Sequence, residues 1–343
     1  MKFFLLTIII ILFCKNIYSE DLFKTSFYDV EFLSNNIEND KIKKINDIKK
    51  KSISNIFNKT LIIDNYNEVL DILSDDLINT FIRNIIINDE KIINNKYISK
   101  IKINFDKKKI VHFFREKKIP YVEFHPDKIL LIIYEENKIN DNIFTKNNNF
   151  YSYLSSNSIN NYHFEIPNLD INDRYILNKQ NIENINLDKI NNFSKKYNLE
   201  DVIIISLISN KNKFIYDSLL FSKDKIIQKK FESQKYNYHI FFKILENQSL
   251  EMWKKLNLIQ NENLNLINCK IDYYNMFELK KIRDNLNNIT TIDKLNIKSL
   301  SHKSIEYDIY YYGNLKILID LLNINQLNLD KLEKEDMCKI KLK

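Results

Sequence analysis

The sequence predicts an α+β protein made of several small antiparallel-sheet domains with packed helices, and three stretches carry that prediction. Residues 97–124 read as strand, basic helix, strand. Residues 187–258 read as a helix feeding an antiparallel meander that a second helix closes. Residues 262–343 run in the order βαββαβ, the split or ferredoxin-like pattern.

The chain opens with Lys2 and an uncharged, almost wholly apolar run over residues 3–14 (FFLLTIIIILFC), then KNIYS before Glu20. A positive start, an apolar run of ~7–15 residues and a small residue form the secretory-signal pattern, and such a run is short for a bilayer span. The expectation is a signal peptide at residues 1–19, cleaved between Ser19 and Glu20. The alternative is an uncleaved inner-membrane anchor. No later segment reaches ~18 consecutive apolar residues, so the mature chain is expected not to span a membrane.

The first domain is expected over residues 20–137, opening with a strand at 23–33. Residues 36–63 carry a Lys-rich helix with Ile42, Ile45, Ile48, Ile53, Ile56 and Phe57 near helical spacing. Residues 66–86 continue as helix, with Val69, Ile72, Leu73, Leu77 and Phe81 on one face. In the helix at 107–118, Ile110, Phe113 and Phe114 face inward while the basic residues face water. Residues 119–124 and 129–134 add strands, the second of them buried.

The middle domain, 138–261, starts with an Asn-rich linker at 138–149. Leu187, Ile190, Phe193 and Tyr197 stripe a helix, and 202–208 is a nearly continuous apolar run typical of a strand covered on both faces. Strands at 213–221 and 225–231 and a helix at 240–258 complete it.

The C-terminal domain, 262–343, is the clearest. Ile267, Cys269, Ile271 and Tyr273 alternate, as do Ile305, Tyr307, Ile309 and Tyr311, and Leu295 and Ile297 mark a strand between them. Helical stripes fall at Met276, Leu279, Ile282 and Leu286 and at Leu315, Leu318, Ile319 and Leu322. Final strands are expected at 327–332 and 337–342. Gly313, the single glycine, stands between strand and helix and reads as a backbone requirement for positive φ.

The alphabet is skewed. There is no Ala, one Gly and three Pro, and Arg occurs only at Arg83, Arg115, Arg174 and Arg283. The missing residues are those of GC-rich codons, as mutational pressure in an AT-rich genome would produce. The net charge of +7 therefore comes almost wholly from Lys, scattered among 45 acidic residues. With Arg scarce and no basic patch, nucleic acid is not an expected partner. A single glycine excludes a P-loop, a dinucleotide fingerprint and a G-x-S-x-G elbow, each of which needs close backbone approach. The common zinc spacings are also missing, so no cofactor is expected.

Few residues invite chemistry. Glu123, His125 and Asp127 (EFHPD) would share one face of a strand and could hold a divalent metal, although Pro126 interrupts that strand and favours an ordinary polar strand end. Glu165 beside His163 is a weaker pair. Ser301 and His302 are adjacent and would diverge on a strand, whereas a nucleophile must touch its base. Asp75 and Asp76 read as solvated. Alternation turns Tyr310 and Tyr312 outward and Tyr311 inward. Beyond the signal, Cys269 and Cys338 remain, and a disulfide between them and two buried thiols are both open readings.

The signal with its extended 23–33, the phrase YISKIKINF at 97–105 with its basic helix, and IYYYGNL at 309–315 give the chain a resemblance. It resembles an exported proteobacterial family, the domain-of-unknown-function family numbered two thousand and sixty-six, over most of the mature chain. The resemblance implies a periplasmic compartment and this architecture, and transfers no catalytic residue. The middle region is also similar, at the level of fold, to the N-terminal domain of periplasmic TolB- and curli-export-type envelope proteins. The expected function is that of a periplasmic cell-envelope protein acting by protein–protein contact without catalysis. The alternative is an exported hydrolase or metal-dependent enzyme whose residues lie far apart in sequence.

Overall fold

The computed structural model describes residues 21–126, 128–135, 143–144, 148–156, 163–210, 213–222, 225–234, 237–331 and 337–343. They form an α+β protein with three sheets. The expected signal, with Ser19 and Glu20, lies outside the described residues.

The first sheet is antiparallel, in the order β1-β3-β2, from β1 (Tyr28–Leu33), β2 (Ile82–Ile93) and β3 (Lys96–Phe105). The β2–β3 hairpin turns through Asn94 and Asn95, both at positive φ, which Asn tolerates better than most side chains. Along β3, Tyr97, Ser99, Ile101, Ile103 and Phe105 are buried and their neighbours are not. Onto that core packs α1 (Ile37–Thr60), contributing Ile48, Ile53, Ile56 and Phe57.

The helix expected over 66–86 is instead two helices and the start of a strand: α2 (Ile63–Ile72), α3 (Asp75–Phe81), then β2. The Ser74 side chain accepts from the Leu77 amide and caps α3 afresh. Beyond Phe81 the Ile-rich, β-branched run finds a partner in β3 and becomes sheet. Next, α4 (Lys107–Glu116) is capped by the Asp106 carboxylate, which accepts from the amides of Lys108 and Lys109. Residues 119–124, expected as a strand, join no sheet; they make one isolated bridge, Tyr121 to Ile259.

The second sheet runs β5-β4-β6-β7-β8. Its strands are β4 (Ile129–Glu135), β5 (Phe164–Glu165), β6 (Asp201–Asn210), β7 (Lys213–Ser222) and β8 (Lys225–Gln234). Pairing is parallel between β5, β4 and β6 and antiparallel onward. Thus β4, which the boundary at 137 assigned to the first domain, belongs to the middle sheet. Its ILLIIY run is apolar on both faces and needs a central position with cover on each side. The cover comes from α5 (Asn149–Ser156) and α9 (Tyr238–Leu256) on one face. On the other stands α8 (Leu187–Lys196), which follows the short α6 (Ile171–Ile176) and α7 (Lys179–Glu183). Most of the linker expected at 138–149 lies outside the described residues, but Asn148 is buried and its amide donates to the Ile133 carbonyl at 3.2 Å.

The third sheet runs β10-β11-β9-β13-β12. Its elements in chain order are β9 (Leu264–Asp272), α10 (Met276–Asn288), β10 (Ile292–Ser301), β11 (Ser304–Tyr312), α11 (Leu315–Ile324), β12 (Leu327–Lys331) and β13 (Cys338–Leu342). The order β10-β11-β9 is that of a ferredoxin-like unit. The place beside β9 is taken by β13, which pairs parallel to it, while β12 is displaced to the edge. This departs from a plain βαββαβ unit. The cause is alternation in β13, where Cys338 and Ile340 are both buried and stand opposite Cys269 and Ile271.

Between β11 and α11, Gly313 has φ +83°, and a Cβ there would meet Ile259 at an ordinary 3.5 Å. The demand is therefore conformational rather than steric. Gly313→Ala should lower unfolding stability by about 1–2 kcal/mol, and Gly313→Asn by less, in urea titrations.

One charged pair on α9 holds the first unit to the second. Lys254, only 3% exposed, donates from Nζ to the carbonyls of Asn58 (2.7 Å) and Leu61 (2.8 Å) and to Glu251 Oε1 (2.6 Å). Glu251 Oε2 accepts the Ile63 amide at 3.0 Å. The pair thus satisfies carbonyls at the end of α1 and an amide at the start of α2, the groups a helix cannot satisfy itself. Among the described residues, no helix is long and apolar enough to cross a membrane. Lys254→Met keeps the stem but strands Glu251 and two carbonyls, and should cost about 3–5 kcal/mol by urea denaturation.

Candidate functional site

The two described members of the candidate metal cluster point to different neighbours. Residues 123 and 125 lie in no strand and share no face. Glu123 receives Lys107 Nζ at 2.5 Å, the Thr290 hydroxyl at 2.7 Å and the Thr290 amide at 3.4 Å. His125 donates from Nε2 to the Lys59 carbonyl at 2.7 Å and sets its ring edge-on to Trp253. Burial lowers its pKa from 6.5 to about 4, so the ring is neutral with its proton on Nε2. Asp127 lies outside the described residues. Among those described, no group of three or more His, Cys, Asp or Glu is placed to hold a metal.

The remaining candidates also serve the fold. The His163 carbonyl accepts the Ile129 amide, and its own amide donates to Glu246 on α9 at 2.7 Å. The Ser301 hydroxyl meets that of Ser304, while His302 is exposed. Asp75 pairs with Lys50 at 2.9 Å on the surface. Cys269 and Cys338 stand opposite each other in register on β9 and β13, with Cα atoms 4.4 Å apart, and form a disulfide.

Two surfaces remain as sites for a partner. The first is on the third sheet. Its inner face carries Ile305, Tyr307, Ile309 and Tyr311 against the helices; its outer face carries Tyr310 and Tyr312, both half-buried. Register places Leu266 beside Tyr310 and Leu264 beside Tyr312. Leu264 is 46% and Leu266 57% exposed, so an apolar row lies open on this face.

The second is the seam where α4 meets residues 289–293 of the third unit. The Arg115 guanidinium donates to the Thr290 carbonyl, lies 3.7 Å from Asp293 and covers the Tyr312 ring at 4.3 Å. A hollow opens on each side. One, of about 620 Å³, is walled by Phe23, Arg83, Lys107, Glu123, Asn288 and Leu321. The other, of about 470 Å³, is walled by Lys108, Arg115, Arg283, Asp293, Lys294 and Tyr307. Reading the sequence alone missed this seam, because its residues come from two units more than a hundred positions apart. The one signal was the scarcity of Arg.

Compared with protein-family models, curated proteins and solved structures, the chain matches none.

The buried His125 makes stability depend on pH. Its folded pKa lies below the unfolded one, so the unfolded chain binds the extra proton and stability falls as pH drops from 6.5 toward 4. Unfolding stability should decrease by about 2 kcal/mol between about pH 7 and pH 5, and His125→Gln should remove most of that slope.

Proposed function

We propose that the protein is exported to the periplasm and serves the cell envelope by protein–protein contact rather than by catalysis. The observation that carries this reading is the open apolar row on the third sheet, Leu264 and Leu266 with Tyr310 and Tyr312 beside them. Aliphatic residues and tyrosines combine in this way at the cores of protein interfaces, where tyrosine brings area and a hydrogen-bonding tip at little entropic cost. The apolar run at residues 3–14 supports export, and the resemblance to the exported proteobacterial family supports the compartment. That kinship is part of the proposal. It rests on phrases that form β1, β3 and the turn from β11 to α11.

A photo-crosslinking residue at position 310 should trap a discrete envelope protein in intact cells. Leu266→Asp should cut that adduct at least fivefold while leaving the unfolding midpoint within about 0.5 kcal/mol of the original, as at exposed sites generally. No adduct, or an adduct insensitive to Leu266→Asp, overturns the contact surface. Mass spectrometry of periplasmic material should find a mature N-terminus at Glu20. An intact Met1 in the membrane fraction would overturn the exported, cleaved form.

A further inference from the structure

We propose that the end of the third unit where β9 stops and α10 begins docks on an anionic lipid surface, with Tyr274, Met276 and Phe277 entering the headgroup region. The contact row of Leu264 and Leu266 lies toward the other end of β9, roughly 20 Å away along the strand. The two surfaces are separate, and this one does not rest on the reading given to the other.

Exposure comes first. Tyr274 is 83%, Met276 69% and Phe277 79% exposed. Among the described residues, no other run of four holds three large apolar side chains turned to solvent. Drift toward Phe and Tyr does not explain such a cluster, because the outward face of α10 beyond it, with Lys280, Lys281, Asp284 and Asn288, is polar. The three side chains also stand on fixed backbone. The Asn275 side chain accepts the Glu278 amide at 2.9 Å, and the Glu278 carboxylate accepts the Tyr274 amide at 2.7 Å, much as in a capping box. The Tyr273 amide donates to the Lys303 carbonyl at 3.0 Å, which ties this end to the β10–β11 turn. Beside that turn Leu300, itself 69% exposed, stands opposite Ile305 and so on the helix-bearing face, at the end where α10 begins. Side chains this exposed project from the surface, where a groove would shelter them. The feature is an apolar knob.

Charge identifies what the knob meets. Lys280 and Lys281 follow Phe277 by three and four positions, which makes them its neighbours on the helix surface. Lys298 and Lys303 flank Leu300 on the hairpin. All four are exposed, and among the described residues no ion pair holds any of them. The carboxylates at this end are engaged or set back. Asp272 has Lys339 at 2.6 Å and Lys270 at 3.7 Å, and Glu278 holds the Tyr274 amide. Glu306 stands beside Lys270 in the register of β11 and β9, and Asp284 lies two turns further along α10. The knob therefore wears a positive collar. A second copy of the chain would bring like charge against like charge, which opposes self-association through this end. An anionic bilayer answers both features. Its phosphates meet the ammonium groups, the lysine stems lie along the apolar side chains, and the rings and the thioether settle at the acyl boundary. With three inserted side chains and no further apolar area, the contact is reversible.

Cosedimentation with vesicles tests this, using purified protein that begins at Glu20 so that residues 3–14 cannot themselves insert. Vesicles of equal phosphatidylglycerol and phosphatidylcholine should carry the protein down, phosphatidylcholine alone about tenfold less, and added salt should release it. Phe277→Ser should weaken binding about fivefold or more, and Met276→Ser replaces it should that variant unfold. Lys280→Gln with Lys281→Gln should weaken binding to the anionic vesicles by about fivefold or more, whereas Lys243→Gln, on the exposed side of α9, should change it less than about twofold. Phe277→Trp should still bind, with its emission shifted to the blue and quenched by bromine on the acyl chains, a signature of insertion that surface attraction alone would not give. No binding to the anionic vesicles, binding indifferent to Phe277 and Met276, or no quenching of the Phe277→Trp reporter would overturn the proposal. Loss of a crosslinked protein on Phe277→Ser, without any vesicle binding, would assign the knob to a protein and overturn the lipid reading as well.

Discussion

Glu123 carries a carboxylate into the interior, and the way that charge is satisfied decides how the three units meet. At 5% exposure it cannot be left to water, and an uncompensated buried charge costs several kcal/mol. Lys107, at the start of α4, supplies the counter-charge, and Thr290, in the turn after α10, supplies two further hydrogen bonds. Both must be in place for the carboxylate to be tolerated, so the first and third units are held together at this point. The residues around Glu123 extend the same logic. The Val122 amide donates to the Thr60 carbonyl at the end of α1, and the Tyr121 carbonyl accepts from Ile259, between α9 and the first strand of the third unit. On the other side, Phe124 and His125 rest against Trp253 of α9. Five consecutive residues therefore touch every unit.

The same segment explains why the chain reads as three domains and packs as one core. A single apolar cluster runs through residues of all three sheets, and only the outer face of the middle sheet has a core of its own. The polar tethers lie where that cluster passes from one unit to the next. Lys254 illustrates the requirement: its three ammonium protons have three acceptors, so its burial leaves nothing unmade. Each tether is a charge made harmless only by the neighbouring unit. That makes the relative placement of the units specific in a way that an Ile-rich and therefore adaptable core could not achieve alone.

Legibility in the sequence followed the range of the interactions. The alternation of Ile305, Tyr307, Ile309 and Tyr311 and the stripe of Ile190 and Phe193 were readable because period two and period 3.6 are local properties. The membership of β4 in the middle sheet and the insertion of β13 beside β9 were not, since both are choices among distant partners. Residues 82–86 were misread as helix because Ile, enriched by drift, marks a buried face of either kind, and the capping Ser74 was the only local sign of a break. EFHPD was noticed for good reason. Its Glu and His are unusual, but they are unusual as architecture, one as a tether and one as a neutral ring beneath α9. The seam between α4 and the third unit was invisible because Arg115, Thr290 and Asp293 become neighbours only through that architecture.

Compositional drift also sharpens what the exceptions mean. Nine described residues other than glycine have positive φ, among them Asp89, Asn94, Leu169, Ile185 and Gln326, and all lie between 47° and 63°. That interval is the left-handed well, which an L-residue can occupy at a cost of about 1–2 kcal/mol. Among the described residues that well holds no glycine, and at Ile185 it holds a β-branched side chain. Gly313 alone survives, at 83°, beyond the edge of the well, where a Cβ is resisted more strongly. The one glycine of the chain thus stands where, among these positions, a Cβ is resisted most.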